Sequence, residues 1–251
     1  MRECAGADEC IAAVRDAAPM APARALHVGW GSFRNLDLAA AARVAALLLL
    51  DVNEHQFRVW RAVAQVLPDS RSAADFIDRV AVALPNEPRL RQFGTDTRRW
   101  LRGDLERPGS WLFEGDPDGF RRVRELFMSG QVATAALDLR DGAGMARLEA
   151  ELGLAAHDGW QLETTYVSNI PWMLAQPVGF FGEQHGTLGG ERSVLEAARE
   201  HLAPVAMRSR RVVSAMHLRA DASADNLQWQ TELLNPADFL EPARWRVLTT
   251  P

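Results

Sequence analysis

The segment from Arg24 to Asp51, RALHVGWGSFRNLDLAAAARVAALLLLD, constrains this chain more than any other. An apolar run, Ala25 to Val28, meets a glycine turn, Gly29-Trp30-Gly31-Ser32. An alanine-rich stretch follows, and a second apolar run, Ala46 to Leu50, ends on Asp51. The order reads as strand, glycine loop, helix, strand, acid. In α/β proteins such a unit holds a nucleoside: amides at the helix start face the ligand and the acid accepts from ribose hydroxyls. Glycine permits the tight turn and the close backbone approach. Asp51 comes twenty residues after Gly31, the spacing ribose recognition uses. A plainer reading stands beside this one, a tight turn followed by a surface aspartate.

The details of the loop narrow the ligand. Arg34 stands where a dinucleotide fingerprint has its third glycine, the residue that allows close helix–strand packing under a pyrophosphate. No G-x-x-x-x-G-K-[ST] occurs, so a P-loop NTPase is excluded. S-adenosylmethionine, a nucleoside ligand without phosphate, fits these two observations.

At this point the chain resembles the class I S-adenosylmethionine-dependent methyltransferases. The residues that carry the resemblance are HVGWGS (27–32), LLLLD (47–51), ALDLRD (136–141) and TYVSNIPW (165–172). It implies an α/β Rossmann-like three-layer sandwich. Gly29, Trp30, Gly31 and Ser32 would lie beside the methionine part of the cofactor. Asp51, with Val52 and Asn53 after it, would hold the ribose diol. Asp138, with Leu139, would accept from the adenine amine. His27 stands near the place of the acid that usually precedes the glycine loop, and a long insertion departs from the common core.

Asn169-Ile170-Pro171-Trp172 resembles the N-[ILP]-P-[YFW] motif of amine and adenine N-methyltransferases. There an Asn oxygen and a neighbouring carbonyl accept from the substrate amino group, and an aromatic ring stacks on the substrate or attracts the sulfonium. The resemblance therefore points to Asn169, Ser168, Tyr166 and Trp172 as the catalytic set for methyl transfer to an amine nitrogen. Three of them have a structural alternative: Asn169 as a strand-ending Asn before a proline turn, and Tyr166 and Trp172 as core residues. Strand alternation puts Tyr166 and Ser168 on one face.

A second resemblance runs through Asp51-x-Asn53-x-x-Gln56 to enzymes that transfer the 3-amino-3-carboxypropyl arm of S-adenosylmethionine, and to those that cyclise it to azetidine-2-carboxylate with release of methylthioadenosine. Positioning decides which sulfonium carbon is attacked. A third reading, from another class, is a non-catalytic nucleoside-binding or interaction protein whose partner surface is the insertion.

The rest of the chain reads as one domain over 1–251. A helix is expected over 1–18, ending before Pro19. Helices follow over Asn53–Val66, with Phe57, Trp60, Val63 and Ala64 on one face, and after Ser72, with Phe76, Ile77 and Val80 inward. The segment at about 86–130, rich in Pro, Gly, Arg and aromatic residues, is an insertion expected to cap one end of the sheet. Strands are expected at Gln131–Asp138, Leu162–Asn169 and Arg211–Leu218, with helices at Gly144–Leu152 and Glu191–Leu202 and a final strand pair at Leu227–Leu234 and Arg244–Thr249. This makes a mostly parallel sheet with an antiparallel edge.

Net charge is −5, which argues against a nucleic-acid partner and for a small-molecule substrate. All 28 basic residues are arginine, so Schiff-base and lysine-base mechanisms are excluded. Six histidines show no metal spacing, so no metal is expected. Among them His185 falls in a glycine-rich stretch, as a loop residue or as a base over the site. Cys4 and Cys10 form neither a disulfide framework nor a zinc motif. No signal peptide is recognisable, and the longest apolar run, Val44–Leu50, is too short to span a bilayer. A cytoplasmic protein off the membrane is expected, and a homodimer is compatible with the sequence.

Overall fold

The computed structural model describes residues 2–3, 7–17, 24–31, 33–84, 97–168, 170–175, 187–188, 192–218 and 229–246. Apolar strands alternating with amphipathic helices bury both faces of a central sheet. In chain order the elements are β1 (Arg2–Glu3), α1 (Ala7–Asp16), β2 (Ala25–Trp30), α2 (Arg34–Ala42), β3 (Ala46–Asp51), α3 (Glu54–Val66), α4 (Ala73–Ala83), α5 (Thr97–Leu105) and α6 (Pro117–Met128). Then come β4 (Val132–Ala136), α7 (Gly142–His157), β5 (Gln161–Ser168), α8 (Ile170–Ala175), β6 (Thr187–Leu188), β7 (Arg192–Ser193), α9 (Val194–Arg208), β8 (Arg211–Leu218), β9 (Trp229–Leu234), α10 (Pro236–Leu240) and α11 (Pro242–Arg246).

The main sheet has the order β1-β9-β8-β5-β2-β3-β4. Neighbours from β8 to β4 pair in parallel, and β9 is antiparallel to both β8 and β1. After the short edge strand β1, the chain enters the middle of the sheet at β2, runs outward to β3 and β4, then returns to the other side of β2 through β5 and β8. The direction of winding therefore reverses between β2 and β5. In open α/β sheets ligands bind in the crevice at the carboxyl ends of the strands at such a switch point. The fold is the expected α/β three-layer sandwich, mostly parallel with an antiparallel strand near one edge.

One helical layer holds α1 to α6 and the other α7 to α11. The first is built on Ile11, Val14, Leu36, Leu38, Trp60, Phe76, Trp111 and Val123. The second rests on Leu148, Leu152, Leu195, Leu202, Phe239 and Trp245. Ser72 caps α4 by accepting from Asp75 N at 3.1 Å, as its position in the sequence predicts. Phe76, Ile77 and Val80 point into the core. On α3 the buried face is Gln56, Val59, Trp60, Ala62 and Val63, while Ala64 is exposed.

Three expectations are corrected. The described part of the 86–130 segment does not cap the sheet end. It is an enlarged β3–β4 crossover whose helices α5 and α6 lie in the α1–α4 layer. An ion cluster around the buried Asp37 fastens it there. Asp37 of α2 receives Arg107 Nη2 at 3.1 Å, Arg34 Nη1 at 3.1 Å and the Trp111 amide at 2.9 Å, and Arg107 also reaches Asp8 and Asp104. Burial raises the Asp37 pKa, against the pull of Arg107 and Arg34. Secondly, the final strand pair is not formed as read: Arg244 lies in α11, which Pro242 opens, and β9 pairs with β1 instead. Thirdly, the N-terminal helix covers residues 7–16, with residues 2–3 in a strand. On that helix Cys10 is buried and disulfide-bonded, which its spacing in the sequence did not announce. Among the described residues no helix is long and apolar enough to cross a membrane.

Candidate functional site at the switch point

The site begins with what holds the glycine turn. His27 is fully buried in the middle of β2. Its Nδ1 lies 2.6 Å from Thr164 Oγ1 and its Nε2 3.0 Å from Asn35 Oδ1. Burial pushes the imidazole pKa down to about 4, with the Asn35 hydrogen bond opposing. The ring is therefore neutral at pH 7. Nε2–H donates to Asn35, whose oxygen can only accept, and Nδ1 accepts from the Thr164 hydroxyl. Asn35 Nδ2 in turn donates to the Trp30 carbonyl at 3.3 Å. A polar relay thus runs under the turn from β5 through β2 to α2. It explains Gly29: a Cβ there would stand 1.7 Å from Asn35 Oδ1 and 2.9 Å from His27 Nε2. This glycine makes room for a side chain from beneath.

Gly31 has a different task. Its φ is +89°, a conformation that strains residues with a Cβ. Its amide donates to Leu50 O at 3.1 Å, which extends the β2–β3 ladder to the base of Asp51. Asp51 is 8% exposed, and its Oδ1 accepts from the amides of Val52 at 2.8 Å and Asn53 at 2.9 Å. The carboxylate is thereby oriented by the backbone. Val52 stands 58% exposed beside it. The Asn53 side chain caps α3 through His55 N at 2.9 Å, and Gln56 is buried behind it.

On the other side of β2, Ser168 ends β5 with φ +57°. A non-glycine residue in the left-handed region costs on the order of 1 kcal/mol and clusters at functional sites. The β5–β8 register shifts between Tyr166 and Ser168, so simple alternation no longer relates those two side chains. A Cβ at Gly31 would lie 3.4 Å from Ser168 Oγ. The structure therefore brings Gly31, Asp51 and Ser168 to adjacent strand ends at the switch point. Tyr166 lies below them, 6% exposed, in the core of the α1–α6 layer.

The other predicted residues are placed less directly. The Trp30 side chain does not face outward; it is buried in the opposite layer and donates from Nε1 to Leu137 O at 3.2 Å. Leu139 is likewise core, 1% exposed, with its carbonyl 3.1 Å from His201 Nδ1. Asp138, past the end of β4, accepts from Arg140 N and Nε at 2.8 Å and from Nη2 at 2.5 Å. Ser32, Asn169 and His185 lie outside the described residues, as does the side chain of Trp172, whose backbone is in α8.

No known protein family and no curated protein matches this sequence. Among solved structures, the rRNA methyltransferase AviRa from Streptomyces viridochromogenes matches in two crystal structures. They show 14% and 12% identity and TM-scores of 0.43 and 0.41, each covering 94% of this chain and 86% of the other. Likeness at this level carries no argument about the reaction.

Proposed function

We propose that this protein binds S-adenosylmethionine at the carboxyl ends of β2, β3 and β5 and transfers its methyl group to an amine nitrogen of a small molecule. The observation that carries the reading is the placement of Gly31, Asp51 and Ser168 at a topological switch point. Three features support the fit. Gly31 brings bare backbone to the crevice. Asp51 offers a carboxylate pre-oriented by two amides, suited to a ribose diol. Val52 offers exposed apolar surface next to it for a purine face.

When bound, the cofactor supplies an electrophilic methyl on a sulfonium. The chain's own residues bind and orient. Asp51 accepts from ribose hydroxyls, the Gly29–Gly31 backbone leaves space for the methionine part, and the backbone at Ser168 and the side chain of Asn169 accept from the acceptor amine. Accepting from N–H keeps the nitrogen lone pair directed at the methyl, a positional effect. Net charge of −5 and the lack of lysine favour a small acceptor over nucleic-acid phosphates.

The test is product analysis after incubation with S-adenosylmethionine and a panel of amines. Adenosylhomocysteine and a methylated amine are expected. Methylthioadenosine formed without an acceptor would replace this reading with attack on the aminocarboxypropyl arm, which the Asp51-x-Asn53-x-x-Gln56 pattern resembles. Neither product, with no cofactor bound, would leave a non-catalytic role.

A further inference from the structure

At the opposite ends of the strands, the amino ends of β2, β5 and β8 line a cleft of about 470 Å³. Leu26, Leu152, Leu162 and Trp160 are among its apolar lining, and Glu163 and Arg210 among its polar lining. Along β5 it lies some 20 Å from Ser168, at roughly 3.3 Å per residue.

Glu163 is the unusual member. The β2–β5 register passes from Leu26↔Leu162 to His27↔Thr164, so Glu163 is the extra residue of a bulge. Bulges re-aim side chains and recur near functional sites. The carboxylate is 1% exposed. Oε1 takes the Arg211 guanidinium at 2.8 Å. Oε2 is buried and has no hydrogen bond among the described residues; Arg210 Nη1 lies 3.5 Å from it. Arg210 is itself 58% exposed on its side chain. A buried carboxylate oxygen lacking a donor is costly and calls for an explanation. The other arginine at the rim, Arg208, is engaged by Glu149, and Gly153 leaves the space in which it lies.

We propose that this cleft is a second ligand site, for a small zwitterion with an apolar body: an apolar or aromatic amino acid. The ammonium donates to Glu163 Oε2. Arg210 leaves its loose contact and takes the ligand carboxylate as a two-pronged partner. The side chain rests on Leu26, Leu152, Leu162 and Trp160. Charge is balanced, because one long ion contact becomes two short ones. The proposal stands independently of what the other end of the sheet binds.

Calorimetry on the full chain with L-phenylalanine as probe tests it, against hydrocinnamate, which lacks the amine, and phenethylamine, which lacks the acid. L-Phenylalanine is expected to saturate by about 10 mM, with each truncated analogue weaker by about tenfold, ~1.4 kcal/mol. Arg210→Ala, an exposed change that leaves the fold intact by circular dichroism, should weaken binding by a similar factor, and Glu163→Gln by more. No heat at that concentration overturns the site. So does binding indifferent to Arg210→Ala, or hydrocinnamate binding as well as the amino acid.

Discussion

Two acids end neighbouring strands, and they are held in different ways. Asp51, the last residue of β3, is buried and oriented by the amides of Val52 and Asn53. Beneath its neighbouring turn lies the His27–Asn35–Thr164 relay. Asp138, after β4, is a quarter exposed on its side chain and is taken up by Arg140 through three hydrogen bonds. The first acid is presented to the crevice by groups that cannot move away. The second is already partnered by a flexible side chain. Pre-organised partners cost a ligand less than partners that must first be displaced, so the proposed function assigns more of the binding energy to the β2–β3 end than to the β4 end.

The contrast can be broken most severely at Gly29. Gly29→Ala puts a carbon 1.7 Å from Asn35 Oδ1, and both sides of the clash are buried. A loss of about 2–4 kcal/mol is expected from overpacking together with rupture of the relay. Chemical denaturation measures it; a loss below the ordinary surface range would mean the relay is not rigid.

The next test uses pH. His27 titrates at about 4 folded and 6.5 unfolded. Between those values the unfolded chain binds the extra proton, so this group's contribution is intact above pH 6.5 and is lost as pH falls towards 4. For a fully buried group the whole shift is worth on the order of 3 kcal/mol. Asp37, with its raised pKa, works in the opposite sense and gains stability on acidification. The slope due to His27 is therefore the difference between wild type and His27→Gln, and it should vanish in the variant.

The smallest effect belongs to Arg140→Ala. The pair is partly exposed, so screening limits its stability cost to about 0–1 kcal/mol. The variant sharpens the comparison, since unfolding midpoints should hardly move while Asp138 loses its competing partner.

Much of this arrangement was legible in the sequence. The strand–turn–helix–strand order of residues 24–51 is the one read, because apolar runs bounded by glycine and an acid leave few alternatives, but β2 runs on through Gly29 and Trp30, which the sequence placed in the turn. Gly31 at the turn and Asp51 at the strand end were found by the same signal. The supporting relay was not. Asn35 and Thr164 look like ordinary polar residues in a helix and a strand; the β2–β5 pairing brings Thr164 to His27, and the packing of α2 on the sheet brings Asn35. The Ser168 conformation depends on a register shift that no alternation pattern announces. Trp30 and Leu139 are motif neighbours whose side chains are buried in the core of the α7–α11 layer. Arg244 was misread because the strand-like run it begins lies just after Pro242, which opens a helix. The 86–130 segment hid its place because its anchor, Arg107 to Asp37, spans 70 positions.

The central claim is that the β2–β3 end binds S-adenosylmethionine and that Asp51 is its main anchor. Calorimetric titration of wild type, Asp51→Ala and Asp138→Ala with S-adenosylmethionine and adenosylhomocysteine tests it in one series. Wild type should bind; Asp51→Ala should weaken binding by about a hundredfold, ~2.7 kcal/mol, and Asp138→Ala by less than about tenfold. No binding by a folded wild type, or equal losses in the two variants, would contradict the account.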